Sequence, residues 1–151
     1  MSHYLPESTR SQVFVRANFV CEYCLIHQNE CHYRLHVDHV IGLKHGGPDD
    51  LDNLACACVF CNLNKGTDLC SIDWGTNELV RFFNPRKDYW SEHFLLEGAY
   101  IQPLTKIGEV TVRIFGFNSE DRLLERSLLI EVGSFPSAAA MEVIGRSGDT
   151  V

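Results

Sequence analysis

Apolar residues near the start of the chain recur at helical spacing. In STRSQVFVRANF, Val13, Phe14 and Ala17 share a face and Ser8 or Thr9 stands where a cap belongs, so a short helix leading into CEYC is predicted. From Leu35 to Ile41 the pattern becomes that of a strand. Leu35 and Val37 alternate with polar neighbours, Val40 and Ile41 follow the Asp38–His39 pair, and the polar groups are expected on one exposed side. KHGGPDD interrupts with glycines, proline and acids and reads as a loop. The run LACACVFCNLNKG reads as a helix, capped by Asp52 or Asn53 and ended by Gly66.

Residues 71–104 read as short strands and turns, with Trp74, Phe82, Phe83, Trp90 and Phe94 as apolar anchors. Between Thr105 and Phe117 two periods compete. Val110, Val112 and Ile114 alternate as in a strand, whereas Ile107, Val110, Ile114 and Phe117 fit one helical face with Thr105 as its cap, and the helix is preferred. Glu120 to Val132 has the spacing of a further helix, stopped at Gly133. Small and polar residues past Phe135 predict a flexible tail. No internal repeat is present.

A chain of 151 residues, 45% of them hydrophobic, can bury one ordinary core. No apolar run approaches the roughly 18 residues of a membrane span, and MSHYLPESTR lacks a basic start and an apolar core. A cytoplasmic protein with no membrane partner is expected. Seven cysteines in such a setting point to free thiols for metal binding rather than to disulfides. The net charge of −7 disfavours nucleic acid, and neither half of the chain is basic: five Lys or Arg face eight Asp or Glu up to residue 72, and eight face twelve after it. An acidic protein handles phosphodiesters when a bound divalent cation supplies the positive charge, so DNA stays open and a metal becomes important.

Cys21 and Cys24 form one CxxC and Cys58 and Cys61 another. Each such turn presents two thiolates on one side of the backbone, and two turns from distant segments supply the four tetrahedral ligands of structural zinc. A redox pair is the competing reading, but it belongs after a strand in a βαβ pattern, which is missing. Cys31, Cys56 and Cys70 read as small hydrophobes, although Cys56 is close enough to Cys58 to compete as a ligand.

Nested between the pairs is HVDHVIGLKHGG, with Asn53 and Asn62 further on. A carboxylate oxygen from Asp38 and an amide oxygen from Asn62 are hard ligands suited to Mg²⁺. Because Cys61 precedes Asn62, the zinc would hold the helix carrying Asn62 against the strand carrying Asp38. On a strand, His39 points away from its neighbour Asp38 and is free to take a proton from water. Asn53 is most simply a helix cap, His45 with the paired glycines a turn, and His36 a surface group or phosphate contact.

CEYC, HVDHVIGLKHGG and DNLACACVFCNLNKG together resemble the HNH endonuclease family over residues 21–66. The resemblance implies an α+β fold: a zinc-stapled ββα-metal core with its leading helix over residues 1–70, an extension of short strands and one or two helices over 71–135, and the flexible tail over 136–151. It implies that His39 is the general base, that Asn53 orders the loop beside it, and that Asp38 and Asn62 hold one Mg²⁺ or Mn²⁺. Asn62 stands where the last letter of HNH usually falls, giving an HNN variant, and Gly42 stands where members often carry proline. The stretch LVRFFNPRKDYWSEHF is similar to an extension found in some bacterial members. The implied activity is hydrolysis of DNA phosphodiesters to 5′-phosphate and 3′-hydroxyl ends, with backbone contacts from His36, Lys65, Arg81, Arg86 and Lys87. A homodimer or partner protein would accompany double-strand cleavage. The alternative is a non-catalytic zinc module that binds DNA or protein.

Overall fold

The computed structural model of the protein describes residues 4–146. It is a mixed α+β molecule in which, among the described residues, three two-stranded antiparallel sheets are interleaved with helices. No helix among the described residues is long and apolar enough to cross a membrane.

Helix α1 (Glu7–Arg16) begins one or two residues before the expected serine or threonine cap, with Pro6 at its N-cap and no side-chain cap bond. The fixed φ of proline already suits a helix start. Val13 and Ala17 are fully buried from the predicted face and Phe14 is partly so.

Strand β1 (His36–His39) pairs antiparallel with β2 (Leu54–Ala57), setting Asp38 opposite Ala55 and His39 opposite Leu54. The expected alternation fails at Asp38, which is buried, whereas His36 is exposed as expected and Val37 and His39 are half-buried. Strand β2 also corrects the predicted helix over 54–66. All four of its residues are buried, with α1 packed on it, and a strand enclosed on both faces loses the alternation that would announce it. Helix α2 (Val59–Lys65) starts only afterwards. Its cap is Cys58, whose Sγ accepts the Cys61 amide at 3.4 Å, rather than Asp52 or Asn53, and Gly66 ends it as expected. The order β1, β2, α2 makes the ββα unit.

The turn between β1 and β2 depends on close approach. A Cβ on Gly47 would lie 1.7 Å from the Ile41 carbonyl oxygen, so only glycine passes there. Gly42 has φ −65°, a value proline also holds.

Strands β3 (Cys70–Asp73) and β4 (Glu78–Arg81) form a hairpin whose turn leaves Trp74 71% exposed, so Trp74 is no anchor. Phe82, Phe83, Trp90 and Phe94 are buried as predicted. A single turn, α3 (Trp90–His93), leads into the hairpin of β5 (Phe94–Glu97) and β6 (Tyr100–Pro103). Helix α4 (Lys106–Phe115) settles the ambiguous segment. The Thr105 hydroxyl accepts the Gly108 amide at 3.0 Å, and Gly116 closes the helix in the left-handed region.

Helix α5 (Glu120–Glu131) follows as predicted. The expected flexible tail is instead helical over α6 (Ala138–Gly145), where the Ser137 hydroxyl accepts the Ala140 amide and Ala140 and Val143 are buried against the α3 region. The rest of that predicted tail, residues 147–151, lies outside the described residues.

One apolar cluster runs from α1 through the ββα unit to α6. Tyr23, from the turn between the first two cysteines, packs tilted against Phe115 at 5.0 Å between ring centroids and meets Phe83 edge-on. The Trp90 indole N–H donates to the Tyr23 carbonyl at 2.9 Å. The distal half is thus packed on the turn that carries the thiols.

Candidate active site and metal centre

Two local structures bring the four cysteines together. In the first, the Leu25 amide donates to the Cys21 carbonyl and the Cys24 amide to the Cys21 sulfur, closing a tight turn. In the second, the start of α2 repeats that amide-to-sulfur bond between Cys61 and Cys58. The four Sγ atoms lie within 4.8 Å of one another, and all four residues are buried. Tetrahedral zinc with Zn–S of about 2.3 Å needs sulfurs about 3.8 Å apart, so the cluster has the dimensions and donor type for that ion. Hydrogen bonds from Cys21, Cys58 and Cys61 hold the Cys24 thiol well below its ordinary pKa, so the cluster favours at least one thiolate. Cys56, the competing ligand, lies outside the cluster on β2, and its buried thiol is pushed up by desolvation.

The residues between the first two cysteines fasten this centre to its surroundings. Glu22 exchanges bonds with Cys56 of β2: its amide donates to the Cys56 carbonyl and its carboxylate accepts the Cys56 amide, both at 2.8 Å. The other oxygen of Glu22 accepts from Arg86. The Tyr23 hydroxyl donates to Asp38 Oδ2 at 2.7 Å.

The Asp38 carboxylate, read from sequence as a metal ligand, is 4% exposed and has both oxygens engaged. Lys65 Nζ lies 3.2 Å from Oδ1 and also donates to the His39 carbonyl at 3.0 Å. Burial pushes the Asp38 carboxyl above its ordinary pKa, against the pull of Lys65 and Tyr23. A divalent cation brought to this carboxylate would meet the lysine ammonium already seated on it. Asn62 is half-buried in the first turn of α2, and its side chain makes no hydrogen bond among the described residues. As placed, the Asp38 and Asn62 pair does not fit a second cation, because the only charged ligand is neutralised by Lys65.

His39 points to the other face of β1, as expected, with its side chain 15% exposed. Its Nε2 is 2.9 Å from Asp49 Oδ1. Asp49 belongs to the loop that sequence reading left without chemistry. Its signal was only a carboxylate lying between His39 and Asn53 in a loop too tight to wander. Asn53 holds that loop: its Oδ1 accepts the Ile41 amide at 2.9 Å, and its Nδ2 donates to the carbonyls of Ile41 at 3.0 Å and Pro48 at 2.9 Å. Asn53 does not cap a helix, since a strand follows it. His45 Nε2 lies 2.9 Å from the Thr67 carbonyl, on the turn where it was expected.

The basic residues read as DNA contacts are mostly committed elsewhere. Lys65 is 2% exposed beneath Asp38, and Arg86 is held by Glu22 beside the thiols. Arg81 makes a two-pronged pair with Asp88 at 2.7 and 2.9 Å. His36 and Lys87 remain exposed.

One further residue had no sequence signal. Arg122, in the first turn of α5, directs Nη2 to Cys61 Sγ at 3.2 Å and to Cys58 Sγ at 3.8 Å. Nothing in its spacing from the cysteines announces this contact, which exists only because α5 folds back over α2.

Comparison with curated proteins finds no match, and comparison with solved structures finds none. Residues 21–68, which hold the cysteine cluster, His39, Asp49 and Asn53, match the family model for HNH endonuclease.

Proposed function

We propose that the protein is a DNA endonuclease of the HNH type, hydrolysing phosphodiester bonds to 5′-phosphate and 3′-hydroxyl ends, with zinc on Cys21, Cys24, Cys58 and Cys61 as its structural ion. The observation that carries this reading is the His39–Asp49 pair, held by Asn53 inside the segment matched to that family. A carboxylate on one ring nitrogen fixes the orientation and tautomer of an imidazole that takes a proton from the attacking water. Asn53 acts on the loop and not on the substrate. His36 and Lys87 are the exposed candidates for the DNA backbone. Asp38 would reach Mg²⁺ or Mn²⁺ only after Lys65 leaves it.

Purified zinc-loaded protein incubated with supercoiled plasmid, in Mg²⁺, Mn²⁺ or EDTA, tests the reading. Nicking is expected from the wild type, with His39→Ala reducing it by roughly 10²–10⁴-fold, the usual contribution of a general base. Nicking by His39→Ala equal to wild type would refute it.

A second reading, a zinc-held binding module without catalysis, is favoured by the covered Asp38 carboxylate and by the net charge of −7. On that reading the plasmid stays intact in every metal, and His39→Ala leaves binding to DNA or protein unchanged.

A further inference from the structure

Four thiolates around one divalent ion carry a net charge of −2. Here that charge would lie where Cys21, Cys24, Cys58 and Cys61 are all at most 4% exposed. A buried uncompensated charge is among the costliest features a fold can hold. The described residues place one guanidinium against the sulfurs, that of Arg122, itself 8% exposed.

Its orientation is fixed on every side. Nη1 donates to the Phe115 carbonyl at 2.8 Å and lies 3.3 Å from that of Gly116, anchoring the group to the C-terminus of α4. The rings of Phe117 and Phe60 stand 5.7 and 5.8 Å from the guanidinium carbon. Nη2 is thereby left facing Cys61 and Cys58. Arg126, one turn further along α5 and also buried, provides an internal comparison. It lines one cavity together with Arg122, Cys24 and Cys58, but its donors go to the carbonyls of Ala99 and Phe117 and to Asn118 Oδ1.

We propose that Arg122 is the buried counter-charge of the four-cysteine metal centre. The segment beyond residues 21–68 is then part of the metal site and not an appendage. The guanidinium offsets one of the two negative charges and supplies an N–H···S bond to Cys61, which stabilises the metal-loaded thiolates over the empty thiols. This inference is independent of whether the protein cleaves DNA.

The test uses the full chain loaded with zinc or Co²⁺, in the wild type and in Arg122→Met, Arg122→Lys and Arg126→Met. In competition with a chelator at fixed pH, Arg122→Met is expected to bind zinc 10–100-fold more weakly, the usual effect of losing such a partner. Arg122→Lys should recover part of the loss, since it keeps the charge without the planar fork. The sulfur-to-Co²⁺ charge-transfer band should shift in Arg122→Met. Arg126→Met should lose stability while leaving that band and the zinc affinity in place. Equal zinc affinity and an unshifted band in a folded Arg122→Met would overturn the proposal, as would equal effects from both methionine variants. Should Arg122→Met not fold, the wild type loaded with ¹¹³Cd decides the matter. Scalar coupling between the cadmium and an Arg122 guanidinium proton, passed through the N–H···S bond, is expected, and its absence would refute the contact.

Discussion

Asn53 makes three hydrogen bonds to the backbone of the loop that carries Asp49, and Gly47 lets the chain pass close enough for them to form. The two residues therefore act on His39 without touching it. Gly47→Ala places a methyl group on the Ile41 carbonyl and 3.0 Å from the Asn53 amide, so the loop must open. A loss of about 1–3 kcal/mol is expected from such overpacking, read from the denaturant midpoint of the zinc-loaded protein, together with loss of plasmid nicking. An unchanged midpoint would show that the turn is slack. Asp49→Asn probes the next link. It preserves shape but removes the charge that orients the ring, so kcat is expected to fall roughly 10²-fold with KM unchanged. A rise in KM alone would instead place Asp49 in substrate binding.

At the scale of elements, the sequence was legible wherever a local pattern matched the local environment. The CxxC turns, the Thr105 cap and the glycine stops at 66 and 133 depend on neighbours in sequence, and they stand where expected. Strand β2 was misread because burial on both faces removed its alternation. The covering of the Asp38 carboxylate was not legible because the partners that occupy it, Tyr23 and Lys65, come from two other segments. Helix α6 was misread because SAAAMEVIG looks small and featureless until α3 supplies a surface for it. Its packing gives a sharp comparison. Ala140 has no exposed surface, so Ala140→Leu should cost about 1–3 kcal/mol through overpacking. Met141 is 53% exposed, and Met141→Ala should stay within about 0.5 kcal/mol. If thermal melting finds both variants neutral, the segment does not pack and behaves as the loose tail first expected.

For the molecule as a whole, the question is whether residues 21–68 and the segment beyond them are one cooperative unit. Their connections converge on the metal centre: Arg122 on Cys61, Arg86 on Glu22, Trp90 and Phe115 on Tyr23, and the Asn64 amide on the Phe115 carbonyl at 2.7 Å. Structural zinc contributes about 10–16 kcal/mol in small peptides, against a total stability of about 5–15 kcal/mol for an ordinary domain. Removing the ion would thus exceed what the remaining contacts can hold, and each of these links loses its footing when the first CxxC turn opens. Trp90 can report the outcome for the distal half, because it is 3% exposed whereas Trp74 is 71% exposed. In Trp74→Phe the emission comes from Trp90 alone. Chelating the zinc is expected to shift that emission to the red, in step with the loss of secondary structure seen by circular dichroism, and restoring zinc should reverse both. If the Trp90 emission holds while the metal leaves, the distal half folds by itself and the two parts are merely adjacent.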